Sequence, residues 1–344
     1  MDRIITFGEI MLRLTPPGHE RILQSPTFGA TFGGGEANVA VSVSKFGREG
    51  VFVTALPANP LGDAAVGELR RHGVDVSFIK RTPGRLGIYF LETGANQRAS
   101  SVVYDRDGSS ISRVKPGDFD WSAICMGASW FHVTGITPAL SQSAADSALD
   151  AVKAAKKAGL TVSIDLNYRK KLWNYGKSAP EVMRELTKYA DVVIANEEDV
   201  QKCLGIEAEG VDVTAGELDV GVYKTLAEKV KAEFPNLSAV AITLRESRSA
   251  DRNGWSAALH GQTGFYHSKE YDIDDIVDRV GGGDSFSAGL IFGLLEYPDD
   301  EAYALEYAVA ASCLKHSVFG DFNLVTKGEV EALCKGDGSG RVQR

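Results

Sequence analysis

Short aliphatic runs recur along the chain, separated by stretches whose apolar residues fall three and four positions apart. Residues 4–7, 51–55, 130–134, 162–165, 192–195 and 239–243 form such runs. They lack the strict alternation of a half-exposed strand and read as strands covered on both faces. Between them the helical period takes over. In the clearest case Ser141 precedes Ala145, Ala148, Leu149, Val152 and Ala155, which fall on one stripe, and Gly159 follows. Serine supplies an oxygen to the first free amides of a helix, and glycine accepts the left-handed backbone that ends one. Strand and helix in alternation predict an α/β fold: a mainly parallel central sheet between two helical layers. In such folds ligands bind beyond the carboxyl ends of the strands, so the polar residues just after each run become candidates.

Two stretches interrupt this rhythm. Residues 12–33 carry Thr15, Pro16, Pro17 and Gly18 and no helical period. Residues 85–106 read as strands 86–92 and 99–104 joined by a polar turn at 94–97. Together they predict a small β-sheet lid on an α/β domain made of 1–11, 34–84 and 107–334. A lid beside a reacting centre keeps water out. The tail 335–344 is rich in glycine and charge and is expected to be disordered.

Composition narrows the classes. With 344 residues, 44% apolar and 24% charged, the chain is long enough for a large core. Its net charge of -9 opposes nucleic-acid binding but leaves room for a local nucleotide cradle. Cys125, Cys203, Cys313 and Cys334 are scattered and suggest neither a zinc site nor a disulfide framework, which fits a cytoplasmic protein. No apolar run is long enough for a membrane span or a signal peptide.

The most informative segment is Val277-Asp278-Arg279-Val280-Gly281-Gly282-Gly283-Asp284, which opens an apolar helix. Consecutive glycines let backbone N–H groups converge on one point, and a helix N-terminus adds free donors and positive partial charge. That is a cradle for phosphate. A carboxylate beside it would repel phosphate unless it meets the group that attacks, so the pairing points to phosphoryl transfer onto an alcohol. A second glycine cluster, Gly33-Gly34-Gly35, is followed by Asn38, whose amide can both donate to and accept from hydroxyls. Other nucleotide and hydrolase motifs fail. Gly176-Lys177-Ser178 lacks the glycine that a phosphate loop needs at 171, where Lys171 stands. A dinucleotide fingerprint from Gly281 would need glycine in place of Phe286.

Gly33-Gly34 with Ala37-Asn38, and Asp278, Gly281 and Gly283-Asp284 in the late segment, resemble the paired signatures of the ribokinase-like (PfkB) carbohydrate kinases. Asp165, Asn167 and Arg169 after one strand, and Asn196 with Asp199 after the next, agree with that family. The resemblance implies a three-layer α/β/α sandwich with a β-sheet lid, a homo-oligomer (a dimer through the lid), ATP and Mg2+ as cofactors, and a monovalent cation as a further candidate. Within the family the chain is most similar to 2-keto-3-deoxygluconate kinases. That likeness assigns the sugar acid to Gly34, Asn38, Tyr89, Tyr104, Arg106, Ile136, Arg169 and Asp321, the nucleotide to Asn196, Thr243, Arg245, Gly254 and Gly283, and a water-mediated magnesium contact to Asp199.

Arg106 and Arg169 suit a carboxylate, and tyrosine offers a sugar both ring face and hydroxyl. The chain departs from the family pattern at Arg279, where threonine is usual, at Asp199 for glutamate, at Leu244-Arg245-Glu246 where a glycine is usual, and at Val309 for an asparagine near the adenine. Arg245 is open to two readings, a phosphate partner or a partner of Glu246. The expected reaction moves the γ-phosphoryl group of ATP to the terminal hydroxyl of 2-keto-3-deoxygluconate. Asp284 is its base, kept ionised by the helix dipole, and the amides of Gly281, Gly282 and Gly283 form the anion hole. Fructokinase, 5-dehydro-2-deoxygluconate kinase and a non-catalytic sugar-acid sensor are the alternatives.

Overall fold

All six aliphatic runs become strands of one sheet. The computed structural model describes residues 2–207 and 220–338. Of the expected disordered tail, 339–344 lie outside the described residues. The strands are β1 (Arg3–Phe7), β2 (Met11–Thr15), β3 (Gly29–Gly33), β4 (Glu49–Leu56), β5 (Ile79–Arg81), β6 (Gly87–Glu92), β7 (Ser101–Asp105), β8 (Trp130–Thr134), β9 (Thr161–Asp165), β10 (Val192–Ala195), β11 (Ala239–Ser247), β12 (Asn253–His260), β13 (Phe265–His267) and β14 (Tyr271–Ile273). The central sheet runs β13-β12-β11-β10-β9-β8-β1-β4-β5, with β14 also on β12. From β11 through β5 every pair is parallel. Helices cover both faces, and this layer holds most of the core. Among the described residues no helix is long and apolar enough to cross a membrane.

The strand that begins with the run 239–243 extends beyond it. Strand β11 continues to Ser247 and turns back as β12, pairing Arg245 with Trp255 and Glu246 with Gly254. Buried Leu244 between outward polar neighbours gives the period-two pattern of a strand. Arg248 then ties Glu246 on β11 to Asp272 on β14.

The lid is the four-stranded sheet β3-β2-β6-β7. Only β2 and β6 pair in parallel. Chain order explains where it stands: β1 leads into β2 at its carboxyl end, and β3 returns directly into helix Gly35–Lys45. The lid therefore hangs over the strand ends where ligands are expected. Its inner face meets the main body through Met11, Tyr89 and Leu91, against which Val280 packs.

Helix Gln142–Lys157 has the expected cap, with Ser141 Oγ accepting from the Ala144 amide at 3.0 Å and Gly159 at φ 82°. Helix Gly282–Glu296 is buried on nearly every side. It lies so close to helix Glu301–Lys315 that a Cβ on Gly289 would come 2.7 Å from the Ala308 Cα. Packing on all sides fixes where its N-terminus points.

Candidate active site

Lid and strand ends enclose a cavity of about 550 Å³. On its main-body wall, Gly281 (φ 84°) starts helix Gly282–Glu296 and Asp284 stands in the first turn. The Asn38 amide donates to Asp284 Oδ2 at 2.6 Å, and Asn38 Oδ1 accepts from the Gly34 amide at 3.2 Å. One asparagine thus joins the two glycine clusters. A Cβ on Gly283 would meet no neighbouring group within 4 Å, so this side of the residue, which lines the cavity, is open. A Cβ on Gly281 would lie 2.1 Å from the Asp321 carbonyl oxygen.

The ionisation of Asp284 departs from the dipole argument. Burial pushes its pKa up to about 6, against the bond from Asn38, which favours the charged form; Asp321 raises it further, and Arg169 and Lys315 pull it down. Burial raises the pKa because it disfavours the charged form, and here it exceeds the opposing bond from Asn38. The group remains mostly ionised at neutral pH and is a better proton acceptor than an exposed aspartate. Removing the Asn38 donor favours the protonated form further. Asn38→Ala is therefore expected to move the acid limb of kcat/KM to higher pH, by about one pH unit. A pH–rate series would show it, and an unmoved limb would remove Asn38 from the control of this proton.

On the lid side the Tyr89 hydroxyl donates to the buried Asp321 carboxylate at 2.6 Å. Burial raises the Asp321 pKa, while Arg13, 2.9 Å away, opposes that. Tyr104 stacks near Tyr89 and covers the Arg106 guanidinium at 5.3 Å. Arg106 is itself held by Glu9, with Nε donating to Oε2 at 2.8 Å. Part of its charge is therefore already balanced before any sugar acid arrives. Arg169 is exposed to the cavity, donates to the Tyr168 carbonyl at 2.9 Å, and lies near Asp165, Asp199 and Asp284 without closing an ion pair on any of them. Ile136 lines the same wall at the start of helix Ile136–Ala139.

Asn196, Thr243, Arg245 and Gly283 also line the cavity. Gly254 does not. It is buried in β12 opposite Glu246, where a Cβ would lie 2.8 Å from Glu270 Oε1 and 2.9 Å from Glu246 Oε2. Strand pairing turns it away from the residues that line the cavity, so the structure does not bring it together with the other assigned nucleotide residues. Val309 is wholly buried in the core and likewise does not line the cavity. Of the two readings of Arg245, pairing with Glu246 is not seen: Arg248 takes that acid at 2.7 Å, and Arg245 stands exposed without an acid partner among the described residues. Arg279 donates to the Ala250 carbonyl at 2.5 Å and the Ser249 carbonyl at 3.2 Å, bracing the β11–β12 turn.

With cradle, carboxylate and lid in one cavity, the family comparison is decisive. A family model described as pfkB family carbohydrate kinase matches residues 1–326. The chain belongs to the pfkB family of carbohydrate kinases. The crystal structure of a 2-dehydro-3-deoxygluconokinase from Thermotoga maritima is 49% identical with a TM-score of 0.92, over 98% of this chain and all of that one. A 2-dehydro-3-deoxygalactonokinase of Haloferax volcanii is 33% identical over 98% of both chains. A fructokinase from Xylella fastidiosa, solved with bound ATP, shares the fold at 20% identity, with a TM-score of 0.78 over 97% of this chain and 99% of that one.

In this pfkB kinase the groups that fit magnesium are oxygens set for indirect contact. No cluster of three or more histidine, cysteine or acidic side chains able to hold a metal occurs among the described residues. Asp199 faces the cavity but accepts from the Tyr168 amide at 2.9 Å and the Asn196 amide at 3.3 Å. Those bonds cap helix Glu197–Leu204 and leave it suited to a metal that keeps its water.

Sequence reasoning missed three buried charges that shape this kinase's site. Arg13 holds Asp278 and Asp321. Glu9 holds Arg106. Glu36, its pKa pushed up to about 7 by burial, accepts from the Thr134 amide and from the Thr134 and Thr137 hydroxyls at 2.8 to 2.9 Å. The signal for Arg13 was present: in Met11-Leu12-Arg13-Leu14-Thr15 the alternation puts the arginine on the face of Met11, turned inward.

Proposed function

We propose that this pfkB kinase transfers the γ-phosphoryl group of ATP to the terminal (6-) hydroxyl of 2-keto-3-deoxygluconate. The Asp284 carboxylate, held by Asn38 beside the bend at 281–283, carries the reaction class. The 49% identity to the Thermotoga maritima 2-dehydro-3-deoxygluconokinase supports the substrate. The 33% identity to the Haloferax volcanii enzyme favours 2-keto-3-deoxygalactonate as a second substrate.

Asp284 orients the attacking hydroxyl and takes its proton late, as a loose transition state allows. The amides of Gly281 and Gly283 supply donors to the equatorial oxygens, while that of Gly282 already donates to the Arg279 carbonyl at 3.3 Å. Asp199 would hold magnesium through water, and the metal would supply positive charge to offset that of the phosphates. Arg169 offers the sugar acid a guanidinium, and Tyr89 and Tyr104 offer ring faces. The lid sheet limits water as a competing acceptor.

A panel of 2-keto-3-deoxygluconate, 2-keto-3-deoxygalactonate, 5-dehydro-2-deoxygluconate and fructose, followed by ADP release, tests the reading. The two 2-keto-3-deoxy acids are expected to give the highest kcat/KM. A preference for fructose would overturn the acid assignment. Tight acid binding with no ADP release from any of the four would make the protein a sensor.

A further inference from the structure

Arg13 lies in the middle of lid strand β2, yet none of its side chain is exposed. All three guanidinium nitrogens are used. Nε donates to Thr15 Oγ1 at 2.9 Å, Nη1 to Asp321 Oδ1 at 2.9 Å and Nη2 to Asp278 Oδ2 at 2.5 Å. The Phe319 ring closes one side, 5.3 Å from Cζ.

Both acids adjoin the glycine bend, and Asp321 also lines the cavity. Asp278 Oδ1 accepts from the Val280 amide at 3.0 Å, one residue before the glycine bend, and Oδ2 also accepts from the Gly320 amide at 3.1 Å. Asp321 lines the cavity, takes the Tyr89 hydroxyl, and presses its carbonyl oxygen against Gly281. Lys315 lies nearby but donates to the carbonyls of Val318 at 3.0 Å and Asp278 at 3.3 Å, not to either carboxylate. Among the described residues, Arg13 is the cation that forms ion pairs with both acids.

We propose that Arg13 is a positioning residue for phosphoryl transfer: from the lid, it fixes at once the Asp278 turn that shapes the bend at 281–283 and the Asp321 carboxylate that faces the sugar beside Tyr89. The proposal deepens the kinase reading above and rests on it. Its physical basis is the cost of burying two carboxylates about one guanidinium. Remove the cation and two uncompensated charges remain, so the acids must separate, recruit water or take up a proton. Any of these moves the Gly281 backbone or the Tyr89 hydroxyl. The arrangement also ties the lid's seating to the shape of the anion cradle, because neither can shift without breaking an ion pair in the interior.

The test compares Arg13→Met, Arg13→Lys and Arg13→Met/Asp278→Asn with the wild-type full chain. The phosphoryl acceptor is whichever panel member the wild type turns over fastest, so a wrong sugar assignment leaves the result readable. Readouts are the thermal midpoint, kcat, and KM for sugar and for ATP. Arg13→Met is expected to raise the sugar KM and lower kcat, each about tenfold or more, from a misplacement of an ångström or less. Arg13→Lys, which keeps the charge without the fork, should fall between. The double variant should regain thermal stability without regaining kcat. Kinetic constants that return to wild-type values together with stability in the double variant would reduce Arg13 to a structural ion pair. So would wild-type kcat and KM in folded Arg13→Met. If Arg13→Met does not fold, Arg13→Lys decides: wild-type constants there overturn the proposal, and a raised sugar KM with lowered kcat supports it.

Discussion

Asp284→Asn is expected to lower turnover by a factor of roughly 100 or more while sugar binding persists. The two side chains have the same shape, and the asparagine oxygen can still accept from Asn38, now 2.6 Å from Asp284 Oδ2. What is lost is the proton acceptor. In the wild type the same group is expected to set a pH limit. With a pKa near 6 the carboxyl is protonated below that pH, so kcat/KM should fall as pH drops from 7 to 5. The limb should vanish in the variant.

Stability should move the other way. A folded pKa raised above the unfolded 3.8 means that the native state holds this proton more tightly than the unfolded chain does. Any stability linked to it is fully present below pH 3.8 and is lost as pH rises through about 6. At neutral pH the ionised Asp284 is therefore a strain on the fold, and Asp284→Asn should melt at or above the wild-type temperature. Loss of turnover with an unchanged or higher melting point separates a chemical role from a structural one. Unchanged turnover would remove Asp284 from the mechanism.

The second large effect is expected at Gly281. Its φ of 84° lies in the left-handed region, which costs an L-residue roughly 1–2 kcal/mol. Sterics are more severe: a Cβ would stand 2.1 Å from the Asp321 carbonyl oxygen, and backbone cannot rotate away as a side-chain tip can. The bend and the 321 segment must separate by more than an ångström, and misplacement on that scale costs about 100-fold in rate. Gly281→Ala should therefore lose roughly 10- to 100-fold in kcat and melt earlier than the wild type. Gly283→Ala is the companion. Its Cβ would meet no neighbouring group within 4 Å, so the variant should melt like the wild type. It should instead raise the KM for ATP, because the methyl group projects into the cavity. Equal behaviour of the two variants in both assays would mean that the bend does not hold phosphate.

Much of this architecture is legible in the residue pattern. Each aliphatic run forms a parallel strand, the two interruptions form a second sheet, and Ser141 caps its helix. Of the residues named for the site, Gly254 alone fails to line the cavity. It fails because the hairpin of β11 and β12 is antiparallel and polar at its tip, whereas a continuous aliphatic run marks only a strand buried on both faces. The buried charges are hidden for another reason. Arg13 meets Asp321 across 308 positions and Arg106 meets Glu9 across 97, and nothing local in one sequence marks such partners.

By itself the sequence determined what depends on a residue's own backbone preference and on periodicity: the strands, the helix start, the glycine bend and the order in which chemical groups arrive. Tertiary structure alone decided which acid each arginine meets, that Gly254 turns away from the cavity, and that burial raises the pKa of Asp284. Desolvation and Coulomb energy depend on distances between segments far apart in the chain, and those distances exist only after folding.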